Sequence, residues 1–354
     1  MEIEQFFRSK VVIVNGASGF IGSHLSGRLI ECGAKVIGID NFITGNRRNV
    51  EFLANNPNFR LMEQDLNDQA GTLTVLEQIK KQEGRVDVVL HFASPASPPG
   101  YQKHPTETYL VNTLALHNVL VWLREHTPEA RLLFAGSSEA YGNPQVHPQV
   151  ETYWGNVNPN GPRACYDESK RMGESICGVF YRDFGLKTYI IRIFNTYGPR
   201  MDLEDGRVLP QFIKQVQAGD KLTVYGDGLQ TRSYCYIDDL VAGALAFVAS
   251  DYAGETINLG NPGEFTVLET ARIVNEVTGR AADQIEYRPL PIDDPLRRQP
   301  DISKAKKLLG WEPQVPFREG LARMLEFYQV STKQQKGQDE SGNWLFSRDD
   351  CGRW

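Results

Sequence analysis

The sequence predicts an α/β fold in which a doubly wound parallel sheet is joined to a smaller mixed α/β substrate domain. Apolar runs of strand length alternate with helix-period segments through the first half, which is typical of a parallel sheet covered on both faces. A turn containing Gly16, Gly19 and Gly22 follows the first run directly and opens a helical segment. This order of strand, glycine turn and helix indicates a Rossmann-type nucleotide-binding unit.

The predicted elements follow this rhythm as far as Arg192, where it breaks. Beyond that point Gly, Pro and Asp become frequent, and shorter strands mix with helices. The predicted strands cover residues 11–14, 35–39, 59–62, 86–91, 131–135 and 187–191, and the predicted helices 104–125, 166–184, 208–217, 237–248 and 266–277.

This change of rhythm predicts two interleaved domains. Residues 1–195, with roughly 230–262, are predicted to form the dinucleotide-binding domain. Roughly 196–229 and 263–330 are predicted to form the substrate domain. Residues 331–354 are polar and contain glycine, which is typical of a tail outside the packed core.

Composition excludes several classes of function. With a net charge of -6 and no long basic block, the chain lacks the positive footprint of a nucleic-acid surface. No apolar run is long enough to span a membrane, and the N-terminus lacks the apolar core of a signal peptide, so we expect a cytoplasmic protein. The 5 cysteines lack metal-type spacing, so we expect no metal site.

The glycine turn predicts a dinucleotide site. Glycines there let the backbone approach a pyrophosphate, whose charge the N-terminus of the following helix stabilises. The second strand ends at Asp40, where a carboxylate would bond the ribose hydroxyls and repel a 2′-phosphate. Arg47 and Arg48 follow closely and would favour NADP, unless they lie on a solvated loop. We expect NAD.

Tyr166 and Lys170 are the candidate proton-transfer pair. Four residues apart on a helix, they share one face, so the ammonium can stabilise a phenolate. Lowering a phenol pKa from about 10 to about 7 takes roughly 4 kcal/mol. A Tyr-x-x-x-Lys pattern alone is weak, since an amphipathic helix with one exposed Lys also produces it.

The run Ser137-Ser138-Glu139 ends the fifth predicted strand. It therefore lies at the carboxyl edge of the sheet, where ligands bind in this class of fold. Serines also form turns and Glu139 could be a solvated loop carboxylate, but Tyr166 and Lys170 downstream favour a catalytic role.

Several segments resemble the extended short-chain dehydrogenase/reductase family that remodels nucleotide sugars, and within it the UDP-glucuronate decarboxylases. The resemblance covers roughly residues 10–330, and its most specific element is the Ala-Ser-Pro run near residue 95. The matching segments are Gly16–Gly22, Asp40–Gly45, His91–Pro99, His147–Gln149, Gly161–Glu168, Asn195–Met201, Leu222–Gly226, Gln230–Arg232 and Asn258–Pro262.

The resemblance implies roles for individual residues. Tyr166 would be the base, Lys170 its partner, Ser137 the hydroxyl that bonds the sugar 4-oxygen, and Glu139 a sugar-positioning carboxylate. Arg298, rather than its neighbour Arg297, would close the site over an anionic substrate. The resemblance further implies NAD contacts from Gly16, Gly19, Phe20, Ile21, Gly22, Asp40, Asn41, Phe42, Thr44, Gly45, Asp65, Leu66, Ala93, Ser94, Tyr166, Lys170, Thr196 and Arg207, and substrate contacts from Ser138, Glu139, Asn195, Tyr225, Arg232 and Arg298.

The implied reaction is decarboxylation of UDP-glucuronate to UDP-xylose by a homodimer that keeps its NAD tightly bound. Three departures from the family pattern leave alternatives open. Ser137 stands where the family usually has Thr, residues 69–84 form a longer segment, and Leu209-Pro210-Gln211 replaces a nucleotide-contacting stretch. A uronate 4-epimerase and a nucleotide-sugar 4,6-dehydratase begin with the same C4 oxidation, and a silent NAD-binding sensor or scaffold is a non-enzymatic alternative.

Overall fold

A seven-stranded sheet is the centre of the molecule in the computed structural model, which describes residues 3–289 and 297–330. The strand order is β11-β6-β5-β4-β1-β2-β3, and every neighbouring pair in it is parallel. The strands are β1 Val11–Asn15, β2 Lys35–Asp40, β3 Phe59–Glu63, β4 Val88–His91, β5 Arg131–Ser137, β6 Lys187–Ile193, β7 Thr196–Tyr197, β8 Leu222–Tyr225, β9 Thr231–Ser233, β10 Cys235–Tyr236, β11 Thr256–Leu259, β12 Glu264–Thr266 and β13 Ile285–Arg288.

Helices cover both faces of this sheet and build the remainder of the chain. Two short 3-10 helices, at Arg47–Leu53 and Ser138–Tyr141, accompany them. Among the described helices, none is long and apolar enough to cross a bilayer. The α-helices are α1 Ile3–Phe7, α2 Phe20–Glu31, α3 Gln69–Glu83, α4 Pro98–Lys103, α5 Pro105–Leu110, α6 Leu116–His126, α7 Ala164–Phe184, α8 Val208–Ala218, α9 Ile237–Ala249, α10 Val267–Val277, α11 Ser303–Leu309 and α12 Phe317–Phe327.

The predicted fold class is confirmed, and all six predicted strands are present. The seventh strand, β11, was missed because its four residues lie far along the chain from β6, the strand it joins. The strand pattern has period two, as a sheet buried on both faces requires. Val12 and Val14 pack into the core on one side of the sheet, while Val11 and Ile13 pack into the core on the other.

The predicted helix at 104–125 is wrong in one respect, because a π-helical turn at Val111–Ala115 separates α5 from α6. The carbonyl oxygen of Val111 lies 3.0 Å from Nε2 of the buried His91 ring. An outside group that bonds a helical carbonyl disturbs the regular ladder, and π-turns are a common result.

The second part of the chain contains three two-stranded sheets, β10-β7, β12-β9 and β13-β8. The division of the chain into two domains stays a prediction. Strands β9 and β12, which that division assigns to different domains, pair antiparallel with each other. The predicted tail at 331–354 lies outside the described residues.

Candidate active site

In the glycine turn between β1 and α2, neighbouring backbone atoms leave no room for a side chain at Gly16 or Gly22. Gly16 has a φ of +81°, and a Cβ there would lie 2.8 Å from the backbone nitrogen of Ala93. A Cβ on Gly22 would lie 2.0 Å from the carbonyl oxygen of Gly16. The first N–H groups of α2, beginning at the half-buried Phe20 and Ile21, have no partner within the helix and provide an anion site.

Asp40 ends β2 beside this turn, and its carboxylate is held by two backbone amides. Ser18 N donates to Oδ2 and Phe42 N donates to Oδ1, each at 2.8 Å. Burial raises the pKa of Asp40, although the two amide bonds oppose the rise. Asp40 lines a cleft together with nine other residues expected to contact NAD: Gly16, Gly19, Asn41, Thr44, Gly45, Asp65, Leu66, Ala93 and Ser94.

Arg47 and Arg48, which would favour NADP, are exposed. The guanidinium of Arg47 forms an ion pair with Glu63 and lies 3.9 Å from the ring centroid of Phe42. A glycine cradle, a free helix N-terminus and a carboxylate at the end of β2 therefore fit a dinucleotide without a 2′-phosphate.

Tyr166 and Ser137 meet at the carboxyl edge of the sheet. Ser137 ends β5, Tyr166 lies in the first turn of α7, and their side chains are hydrogen-bonded. The Tyr101 ring stacks on Tyr166 with centroids 5.2 Å apart. Burial raises the pKa of Tyr166 to about 12, against the lowering effect of the Ser137 bond.

Lys170 lies below the Tyr166 ring, one helical turn further along α7. Its Nζ is 5.6 Å from the centroid of that ring and donates to the carbonyl oxygen of Ala135 at 2.7 Å. Burial lowers the pKa of Lys170 to about 7. The predicted pair therefore shares one face, and the lysine is bonded to the sheet rather than directly to the phenol.

Glu139 is surrounded by arginines. Arg298 Nη2 donates to Oε2 of Glu139 at 3.1 Å, and Arg163 Nη2 lies 2.7 Å from the same oxygen. Burial raises the pKa of Glu139, but the charges of Arg298, Arg163 and Arg232 outweigh it and hold the pKa below its usual value. Glu139, Arg163, Asp167 and Arg298 are called the Glu139 cluster below.

Arg298 and Arg297 differ in exposure to solvent. Arg298 is only 2 % exposed and also donates to the backbone oxygen of Ser138, whereas Arg297 is exposed. The preceding Asp293-Asp294-Pro295 lies outside the described residues.

Sequence reasoning missed Arg163, Asp167 and Tyr101. Arg163 lies three residues before Tyr166, and this helical spacing was the available signal. One carboxylate oxygen of Asp167 and the hydroxyl of Tyr101 are buried without a hydrogen-bond partner in the described part of the chain. Burial and the nearby charge of Glu139 raise the pKa of Asp167 to about 7.

The remaining predicted residues are more dispersed. The Arg207 guanidinium pairs with Asp205, and its charge lowers the pKa of Tyr166. Thr196 is buried in β7, Asn195 precedes it and Tyr225 ends β8. Within residues 3–289 and 297–330, no hydrogen bond or ion pair links Asn195 or Tyr225 to the Glu139 cluster. Their contact with a substrate stays a prediction.

Comparison with known proteins assigns the family. Residues 12–260 match the model of the NAD dependent epimerase/dehydratase family. The chain belongs to this family. It is 48% identical to UDP-glucuronic acid decarboxylase 1 of Arabidopsis thaliana over 89% of this chain and 68% of that protein. The same enzyme of Xenopus tropicalis is 44% identical over 92% of this chain and 74% of its own length.

Solved structures of family members are similar over almost the whole chain. The epimerase Mth375 of Methanothermobacter thermautotrophicus aligns with a TM-score of 0.81 at 30% identity, covering 92% of this chain and 95% of its own. A UDP-glucuronic acid 4-epimerase of Bacillus cereus, in complex with UDP-glucuronic acid and NAD, aligns with a TM-score of 0.78 at 27% identity, covering 90% and 99%.

Proposed function

We propose that this protein is an NAD-dependent decarboxylase that converts UDP-glucuronate into UDP-xylose and carbon dioxide. The observation that carries the proposal is the buried Arg298, which bonds the same Ser138–Glu139 turn that follows Ser137, the partner of Tyr166. A buried guanidinium next to a proton-transfer residue is suited to an anionic sugar. The decarboxylase relatives support this substrate, because they are similar over most of the chain.

The coenzyme would be held by the glycine turn, by Asp40 and by the cleft residues that extend to Ser94. When bound, NAD supplies the oxidising equivalent by accepting a hydride from C4 of the sugar and later returning it. The solved 4-epimerase complex with NAD supports this assignment.

Tyr166 would take the proton of the sugar 4-hydroxyl, with Ser137 bonded to the same oxygen. The pKa of Tyr166 is about 12, so phenolate formation near pH 7 requires roughly 7 kcal/mol of additional stabilisation. This is larger than the 4 kcal/mol inferred from the sequence, because burial of the phenol adds to the cost. Arg207 contributes positive charge. Protonated Lys170, 5.6 Å from the ring centroid, and the nicotinamide ring of bound NAD would add more.

The oxidised sugar would lose its carboxylate without help from a metal. A ketone at C4 is β to the C6 carboxylate, so the C5–C6 bonding electrons can move toward the carbonyl while carbon dioxide leaves. Ser137 and Tyr166, whose side chains interact, would hydrogen-bond the resulting enolate oxygen. Arg298 would hold the carboxylate before cleavage, and protonation at C5 would complete the carbon chemistry.

One incubation with UDP-glucuronate in deuterium oxide tests the proposal. We expect a UDP-pentose that is lighter by one carbon dioxide, carries one solvent deuteron at C5 and forms without net accumulation of NADH. Mass spectrometry and NMR of the product measure all three. A UDP-uronate of unchanged carbon count would show a 4-epimerase, loss of water from a hexose substrate would show a dehydratase, and no reaction with any nucleotide sugar would indicate a silent NAD-binding protein.

The coenzyme should copurify with the protein, because a coenzyme that is reduced and reoxidised in each turnover has no need to leave. Heat denaturation should release NAD into the supernatant, and activity should need no added coenzyme. An empty supernatant with strict dependence on NADP would contradict the assignment.

We also propose that the chain forms a homodimer through the face made by α5, the π-turn and α7. Large side chains project from this face with exposures of 44% for Tyr109, 49% for Leu114 and 53% for Met172. Such a patch is typical of an interface. Light scattering after gel filtration should give twice the chain mass, and Met172→Glu should shift the equilibrium to the monomer. A wild-type protein that is monomeric at all concentrations would refute the dimer.

A further inference from the structure

We propose that Gln149 is a positioning residue, which together with Asn258 holds the Arg298 segment against the turn that carries Glu139. The inference concerns the chain's own buried amides and rests on the proposed function only in the choice of substrate for its test. Neither residue was among the candidates from the sequence.

Gln149 is fully buried and joins the loop before α7 to the segment that contains Arg298. The side-chain Oε1 of Gln149 accepts from the backbone N of Gln299 at 2.9 Å. The backbone N of Gln149 donates to the carbonyl oxygen of Gln299 at 2.9 Å, and its carbonyl oxygen accepts from the backbone N of Asp301 at 2.9 Å. The side-chain nitrogen Nε2 of Gln149 donates to the carbonyl oxygen of Val146 at 3.0 Å. Three bonds therefore hold the backbone directly after Arg298, at Gln299 and Asp301, to a single residue.

Asn258, also fully buried, connects this junction to the central sheet. It lies in β11, and its Nδ2 donates to Gln149 O at 2.9 Å and to Asp301 O at 3.0 Å. Its Oδ1 accepts from Tyr141 OH at 2.7 Å. Tyr141 ends the 3-10 turn that contains Glu139. Asn258 therefore bonds both the segment that carries Glu139 and the segment that carries Arg298, and these two side chains contact each other.

This amide clamp, formed by Gln149 and Asn258, explains how the Arg298 guanidinium can be placed against Glu139. Arg298 itself carries the charge, but its side chain is long and has several rotamers, so the position of its backbone must be held elsewhere. Small errors in such positions have large effects, since a displacement of about 1 Å can cost about a hundredfold in rate. The clamp supports the backbone next to Arg298 and takes no part in the bonds of the guanidinium to Ser138 and Glu139.

The test is a double-mutant cycle between Gln149→Met and Arg298→Ala. Met has a similar volume but removes every side-chain hydrogen bond of Gln149. We expect Gln149→Met to lower kcat/KM for UDP-glucuronate by about five- to fiftyfold, with bound NAD retained. In the Arg298→Ala background the same change should alter kcat/KM by less than about twofold, because the arginine being positioned is gone.

Matched variants separate positioning from general stability. Gln149→Glu keeps the oxygen that accepts from Gln299 N and should lie between wild type and Gln149→Met; it also serves as the test variant if Gln149→Met does not fold. Gln215→Met is the control, because Gln215 makes two comparable side-chain bonds to Thr223 between α8 and β8. It should leave kcat/KM within about twofold of wild type.

Two results would overturn the proposal. One is that Gln149→Met lowers kcat/KM by the same factor in the Arg298→Ala background as in wild type, which would show an effect independent of the arginine. The other is wild-type kcat/KM in the folded Gln149→Met protein. If wild-type protein does not decarboxylate UDP-glucuronate, the proposed reaction fails first, and the same cycle is then measured as the Kd for UDP-glucuronate by calorimetry.

Discussion

The surroundings of Gly16 and of Arg298, called the coenzyme side and the sugar side below, are built in different ways. On the coenzyme side, around Gly16, Asp40 and Ala93, the surface is mostly backbone, and the carboxylate of Asp40 is itself held by backbone amides. On the sugar side, the Glu139 cluster consists of charged side chains from three separate segments. The first arrangement excludes side chains, whereas the second depends on them.

This difference predicts which property each substitution changes. Changes on the coenzyme side should reduce NAD content and stability together, because backbone packing creates both. Changes on the sugar side should reduce turnover while NAD and the melting temperature remain near those of wild type. Tyr166 stands at the boundary, where the proposed chemistry would take place.

Tyr166→Phe should have the largest effect. It removes the hydroxyl that transfers the proton and should lower kcat by about two to four orders of magnitude, the usual range for a positioned acid or base. NAD released on denaturation should equal that of wild type. Retention of more than about a tenth of the activity would move the base elsewhere, with Glu139 as the next candidate.

Arg298→Ala should follow in size. Loss of a charge-assisted hydrogen bond costs about 1.5–3 kcal/mol, which is roughly tenfold to a few hundredfold in kcat/KM. Arg297→Ala is the matched control and should have little effect, because Arg297 is exposed. Steady-state kinetics with UDP-glucuronate measures both. Equal small losses would remove the role of Arg298 in binding an anionic sugar.

Gly16→Ala tests the coenzyme side. Its Cβ would lie 2.8 Å from backbone atoms of Phe92 and Ala93, and its φ of +81° is unfavourable for any other residue. We expect a loss of about 1–3 kcal/mol in unfolding free energy and a lower NAD content. Chemical denaturation and coenzyme release measure the two quantities. Gly84→Ala, with a similar φ but open space around it, separates the contribution of the backbone angle from that of the contact.

Asp167→Asn should have the smallest effect and a defined pH dependence. The pKa of Asp167 is raised from 3.8 to about 7, so the folded state holds a proton that the unfolded chain releases at lower pH. The resulting stabilisation is fully present below pH 3.8 and is lost as the pH rises through about 7.

Asn cannot titrate, so only the wild type loses this stabilisation as the pH rises. The melting temperature of the variant minus that of wild type should therefore increase between pH 5 and pH 8, by roughly 2 °C for each kcal/mol of unfolding free energy that the wild type loses. Glu168→Gln removes the same charge from a half-exposed neighbour and controls for net charge. A constant difference between Asp167→Asn and wild type across this range would show that Asp167 titrates normally.

The coenzyme side and the sugar side also differ in how far the sequence could predict them. The coenzyme side is local, because strand, turn and helix form one continuous segment. Ten of the residues expected to contact NAD line one cleft. The sequence alone suggested Tyr166, Lys170 and Ser137 as candidates, because helical spacing and the end of a strand can be recognised from consecutive residues. Arg163 shares that spacing with Tyr166 and was overlooked.

The remaining contacts depend on distances that a single sequence does not show. The partner of β11 could not be identified from a four-residue strand alone, and Asn258 acquires its role only through that pairing. Gln149 reads as a loop residue until its burial and its bonds to the Arg298 segment are known. Burial also explains why the sequence underestimated the stabilisation that a Tyr166 phenolate needs.

The amide clamp joins residues 150 positions apart, and this separation has a consequence for the synthesis of the protein. A growing chain presents its glycine turn, Asp40 and Ser94 early, and Tyr166 soon after. Strand β11 and then Arg298 leave the ribosome much later, near the end of the described sequence. A partly translated chain therefore contains the glycine turn and Tyr166, but neither the complete clamp nor Arg298. The residues proposed to bind the sugar are therefore completed well after those that form the coenzyme site.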